Sequence, residues 1–209
     1  MVKPIISLSF DDGNLDQFKW ARGLYRFNIP GTFFVNPSML DRPGKLYLWM
    51  LKKMHDEWGH VIANHMWKHS SAISLSLKRT LKSIERTDEW LAKHGFNDGV
   101  GLLALPYGSI GGRWGEYLDE IYAATRMVRD VSDDGENEKD WEYVLSAYGD
   151  NVNKMFEILN SMKDDHIYLF YFHHSQHTFD PSFIKFLERI DELRREKRII
   201  IKGMGELVR

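Results

Sequence analysis

Eight short apolar runs alternate with longer amphipathic segments along this 209-residue chain, and that order narrows the possible folds more than any other feature. The runs are "PIISLSF" (4–10), "GTFFV" (31–35), "HVIA" (60–63), "VGLLAL" (100–105), "RMVRDV" (126–131), "YVLSAY" (143–148), "IYLFYF" (167–172) and "RIIIK" (198–202). Most are apolar at successive positions rather than alternate ones, as strands covered on both faces of a parallel sheet are. The segments between them have helical spacing. Leu77, Leu81, Ile84 and Leu91 share one face, with Gly95 as a stop. Near the end, Asp180 is placed to cap a helix and Pro181 to open it, with Phe183, Phe186, Leu187, Ile190 and Leu193 as its buried stripe. Seven or eight such βα units predict an α/β barrel whose chemistry sits on the loops after the strands. A doubly wound open sheet satisfies the same periodicity. Neither a repeat nor a linker interrupts the series, so residues 1–209 are expected to form a single domain.

Composition removes several functional classes. Formal net charge is −2, so no global basic field draws the chain to nucleic acid or an anionic membrane. No apolar run approaches the roughly 20 residues of a membrane helix. The first residues, "MVKPIISLSFDDG", are too short and polar in their apolar stretch for a signal peptide, which points to the cytoplasm. Cysteine is absent, and with it disulfides, thiolate nucleophiles and sulfur-ligated metal sites. Any metal would be held by nitrogen and oxygen, from nine histidines and thirty acids.

Four motifs at strand ends carry possible chemistry. The first strand runs into Asp11-Asp12-Gly13, two adjacent carboxylates whose repulsion a cation would relieve. After the third strand, "ANHMWKHSS" places His65 and His69 four apart, sharing a face if the segment takes a helical turn. Nine scattered histidines would give about 0.4 such pairs by chance, and His173 and His177 form a second one. Spacing alone therefore leaves an ordinary solvated pair open. Two imidazoles and a carboxylate are nonetheless a common catalytic metal set, leaving a position for water. The fourth strand runs into Pro106-Tyr107-Gly108, a turn that could also aim the Tyr107 amide at a developing oxyanion. The seventh ends at His173-His174, where an imidazole could act as a general acid or simply bond a neighbouring carbonyl.

Taken together and in this order, these motifs resemble the NodB-homology polysaccharide deacetylases, the fourth carbohydrate esterase family. The correspondence runs through Ser9-Phe10-Asp11-Asp12-Gly13, Thr32-Phe33-Phe34, Gly59, His60, Asn64, His65, His69, Pro106-Tyr107-Gly108, His173 and the closing "GELV", almost the whole chain. The resemblance implies a distorted (β/α) barrel and a divalent metal, commonly zinc. It implies Asp12, His65 and His69 as ligands, Asp11 as catalytic base, the Tyr107 backbone N–H at the oxyanion and His173 as acid. An N-acetylated saccharide would be the substrate, with Pro106, Tyr107 and Trp141 beside it. Trp67 and Trp114 are further candidates for stacking on sugar rings.

The chain departs from the family pattern at several points. Met66 follows the first histidine in place of Ser or Thr, removing a loop-stabilising hydrogen bond. Ala104 stands where many members have arginine, as in a subgroup reading "FAYPYG". His174 replaces an aspartate, and Asp140-Trp141 would be the Asp-Trp motif with no arginine to meet it. Alternatives therefore stay open: hydrolysis of another C–N bond, as in allantoinase-like relatives, cleavage of an O-acetyl ester, or a non-catalytic glycan-binding module. The same ligand set can also hold iron(II) for oxygen activation.

Overall fold

The computed structural model describes residues 2–108, 124–126, 147–148, 152–173 and 181–207. Among them, β1 (Ile5–Phe10), β2 (Thr32–Val35), β3 (Val61–Asn64), β4 (Leu102–Ala104), β5 (Ala124–Arg126), β6 (Ala147–Tyr148), β7 (Ile167–Phe172) and β8 (Ile200–Ile201) form one sheet. Every pairing between them is parallel, in the order β5-β4-β3-β2-β1-β7-β6. The helices are α1 (Gln17–Arg26), α2 (Leu48–Lys52), α3 (Leu77–Lys93), α4 (Val152–Ser161), α5 (Pro181–Arg195) and α6 (Met204–Leu207). This is the curled parallel sheet with outer helices that the alternating pattern predicts, and the barrel-type reading holds over the open sheet.

β1 is the axis of the arrangement. Along its full length it pairs with β7, from Ile5↔Ile167 to Phe10↔Phe172. On the other edge it is shared: β2 takes the upper end at Ser9↔Thr32 and Phe10↔Phe33, and β8 the lower end at Ile5↔Ile200 and Ile6↔Ile201. The strand ends near Asp11 are thus flanked closely by β2 and β7, while β8 lies at the opposite end of the sheet.

Burial explains why the strands were legible. β1 and β7 are buried at all but their first residue, and β2 at all four. Phe10 stacks on Phe33 at 4.6 Å and on Phe172 at 5.0 Å, with Trp20 and Phe183 closing the cluster at 5.6 and 6.3 Å. This aromatic packing lies between the sheet and the helices carrying Trp20 and Phe183, and it anchors the strand that leads into Asp11. In α5 the stripe Phe183, Phe186, Leu187, Ile190 and Leu193 is buried as its spacing predicts, and Pro181 is the first helical residue. In α3, Ile84 and Leu91 are buried, whereas Leu77 is exposed at the helix start. The expected Asp180 cap lies outside the described residues, as does most of the strand predicted at 126–131 and the start of that at 143–148.

His60 has a structural role. Its Nδ1 accepts from the Gly31 N–H at 3.2 Å, so its Nε2 carries the proton and donates to the Ala21 carbonyl at 2.8 Å. Burial pushes its pKa from the usual 6.5 down to about 4, against the opposing pull of the Ala21 carbonyl. The unfolded chain therefore binds this proton first as pH falls. The stabilisation is complete above pH 6.5 and is lost progressively between 6.5 and about 4, amounting to roughly 3 kcal/mol. Urea unfolding of the parent should lose stability across that window. His60→Gln, which retains an acceptor and a donor, should flatten the slope.

Candidate metal centre

Four loops at the carboxyl ends of β1, β3, β4 and β7 converge on one point. After β1 the chain turns sharply through Asp12 (φ 76°) and Gly13 (φ 59°). Two successive left-handed residues are cheap only for glycine and for short polar side chains such as Asp. The turn is secured from outside: the Lys45 ammonium donates to the Asp12 carbonyl at 3.0 Å and to Asn14 Oδ1 at 2.7 Å. Burial lowers the pKa of Lys45, opposed by the charges of Asp12 and Asp16.

After β3, His65 and His69 are brought together by an irregular loop rather than the helical turn that their spacing suggested, since no helix begins before Ala72. The reason is local. Met66 takes a left-handed conformation (φ 64°), which breaks any helical run between the histidines. Its amide is held by Asn64 Oδ1 at 2.8 Å, while Asn64 Nδ2 donates to the Ile84 carbonyl and to Asp88. Asn36, at the end of β2, donates to the carbonyls of His65 and Met66. The bond lost with Ser or Thr at position 66 is therefore replaced by these side-chain amides, and the Met66 side chain packs instead with Ala72, Ile84, Leu103 and Leu105. Burial raises the pKa of Asp88, partly offset by its bonds to Asn64 and the Gly101 backbone.

Asp12 Oδ1 lies 3.2 Å from His65 Nε2 and 3.1 Å from His69 Nε2. One donor atom from each residue lies within 4.8 Å of the other two. His65 Nδ1 sits 2.7 Å from the Ala104 carbonyl, which can only accept, so Nδ1 carries a proton. In a neutral imidazole the lone pair of Nε2 then faces a carboxylate oxygen. Both atoms are buried and neither makes a hydrogen bond among the described residues. Two acceptors pointing at each other need a cation between them, and a second imidazole on the same oxygen makes one divalent ion suited to all three. Burial alone would raise the Asp12 pKa, but positive charge placed at His65 and His69 would hold it far below the usual carboxylate range, as a cation shared by the three residues would. The donor set fits a divalent metal.

The other expected residues lie around this cluster. Asp11 is almost wholly buried, and its Oδ2 is 3.4 Å from His173 Nε2 at the end of β7. Tyr107 occupies the turn after β4 in a left-handed conformation (φ 64°), its ring edge-on to His69 at 4.7 Å and 66% exposed. Pro106 beside it is buried. Trp67 is not open for stacking on both faces, because the Arg86 guanidinium covers one at 3.7 Å. Trp114, Asp140, Trp141, His174 and His177 lie outside the described residues. Sequence reasoning passed over Gln17, Asn36 and Lys45. Gln17 opens a helix and Asn36 follows an apolar strand, signals common to any βα loop, and Lys45 lies mid-loop with neither.

A sequence profile described as polysaccharide deacetylase matches residues 1–126, more than half the chain. The chain belongs to the polysaccharide deacetylase family. Similar to this chain is the peptidoglycan-N-acetylmuramic acid deacetylase PdaC of Bacillus subtilis (strain 168), 30% identical over 147 residues, which are 66% of this chain and 27% of that protein. The chain thus spans about a quarter of the length of that relative. Among solved structures, a family 4 carbohydrate esterase from Bacillus anthracis superposes with a TM-score of 0.67 at 20% identity, covering 99% of this chain and 83% of the other. The Bc1960 peptidoglycan N-acetylglucosamine deacetylase, in complex with an N-hydroxybenzamide, gives 0.68 at 17% identity, covering 96% and 86%. These likenesses establish the shared fold. No helix among the described residues is long and apolar enough to cross a membrane.

Proposed function

We propose that this chain hydrolyses the N-acetyl groups of an N-acetylated sugar or glycan, with a divalent metal, zinc, held by Asp12, His65 and His69. The observation that carries the reading is the convergence of those three side chains beside the Asp11–His173 pair. Bound there, a divalent ion would acidify water and polarise the acetamide carbonyl.

The chain's own residues take the remaining roles. Asp11, 3.4 Å from His173 and buried, serves as the base that accepts the proton of the attacking water. Tyr107 lends its backbone N–H to the oxyanion, and its turn beside His69 keeps that group near the reacting carbonyl. His173 delivers a proton to the departing nitrogen, because an amine leaves readily only once protonated. The Ala104 carbonyl fixes the His65 tautomer so that Nε2 is the ligating atom. The exposed Tyr107 ring, with Pro106 behind it and Trp141 as a further candidate, borders the saccharide. The likeness to the Bacillus subtilis deacetylase and the family match support the N-acetyl glycan over a cyclic ureide or an O-acetyl ester. A purely binding module would have no need for base, ligands and acid together.

Acetate release from N-acetylglucosamine oligomers tests this. Release should stop on chelation and return with added zinc. Chelator-sensitive turnover of a cyclic ureide or an O-acetyl ester, with none on N-acetyl sugars, would move the assignment to those substrates. No turnover with glycan binding intact would leave a binding module.

A further inference from the structure

Gln17 opens α1, and its carboxamide is completely buried. Nε2 donates to the carbonyl of Asp11 and lies 3.4 Å from the carbonyl of His173. Since both neighbours are carbonyl oxygens, the nitrogen must face them, and its two hydrogens match two acceptors. Oε1 is buried without a hydrogen bond among the described residues. A fully buried amide with an unsatisfied oxygen is a poor packing residue, and an apolar side chain of similar size would avoid that loss.

What Gln17 spans is the end of the β1–β7 ladder. That pairing finishes at Phe10↔Phe172, with one further bond from the Asp11 N–H to the Phe172 carbonyl at 2.8 Å. Beyond it, no sheet pairing among the described residues sets the spacing between Asp11 and His173. Their side chains nonetheless stand 3.4 Å apart.

We propose that Gln17 is a positioning residue, a clip across the Asp11 and His173 carbonyls that keeps the base and acid side chains in register. The proposal rests on the deacetylase reading above for what that register does. Glutamate could not replace Gln17, because it would set oxygen against two carbonyl oxygens, and Asn is one methylene too short to span both.

Gln17→Leu, with Gln17→Asn as the milder variant, tests the clip in the zinc-loaded chain. We expect kcat to fall about 10- to 100-fold, since misplacements of an ångström cost this much. KM should change less than about threefold, and zinc affinity should not change. Exchange of the Asp11 amide should quicken at least about tenfold, while that of Leu8 within the ladder stays unchanged. Unaltered kcat overturns the proposal, and so does a loss of zinc affinity in step with kcat, which would make Gln17 a general support of the site. If the parent releases no acetate from any N-acetyl glycan, the deacetylase reading fails separately. Amide exchange then decides the clip by itself, with unchanged Asp11 exchange counting against it.

Discussion

Replacing Asp11 with Asn should lower kcat for acetate release by about 10²- to 10⁴-fold while leaving zinc binding and thermal stability close to the parent's. Asn matches Asp in size, so the packing around this buried side chain has little reason to change. It removes the basic oxygen beside His173 and leaves the three-residue cluster on Asp12 intact. A steady-state assay paired with a zinc titration reads both effects. Full activity in Asp11→Asn would remove the base from this account, and loss of zinc would mean that Asp11 helps to hold the metal.

His65→Ala should produce the opposite pattern, losing metal and activity together. Loss of a hydrogen-bond partner behind a ligand typically costs 10- to 100-fold in affinity, and loss of the ligand itself should exceed about 100-fold. His65 is the more informative of the two histidines because it is buried, with Nδ1 fixed on the Ala104 carbonyl. His69, partly exposed beside Tyr107, should show a smaller effect on fold stability and a comparable one on metal affinity. The pair of variants therefore separates two functions that adjacent residues, Asp11 and Asp12, divide between them. Titration calorimetry with zinc on parent, His65→Ala and Asp11→Asn provides the comparison.

The sheet was legible because its strands are covered on both faces, so the β7 run from Ile167 to Phe172 is continuous in apolar residues and its bounds match the strand. The α5 stripe was legible for the same reason, through its buried phenylalanines and leucines. Strand ends were the right place to look for chemistry, since parallel βα order puts every such loop on one side. Local conformation was less legible. The four-residue spacing of His65 and His69 fits a helix, yet the positive φ of Met66 and the amide bonds of Asn36 and Asn64 make it a loop. Those amides act on backbone groups, and Asn36 and Gln17 reach carbonyls 30 and 156 residues away. No periodicity encodes such a contact, which exists only once the strands are paired. The sharing of one β1 edge by β2 and β8 was hidden likewise, because it depends on where each strand enters the sheet.

X-ray absorption at the zinc edge of the loaded chain tests the central claim most directly. The account predicts one zinc per chain with two imidazole nitrogens at about 2.0–2.1 Å and the remaining light scatterers as oxygen. One of the imidazoles should disappear in His69→Ala. A loaded chain with no histidine in the zinc shell, or one that takes up no stoichiometric zinc while folded, would contradict it.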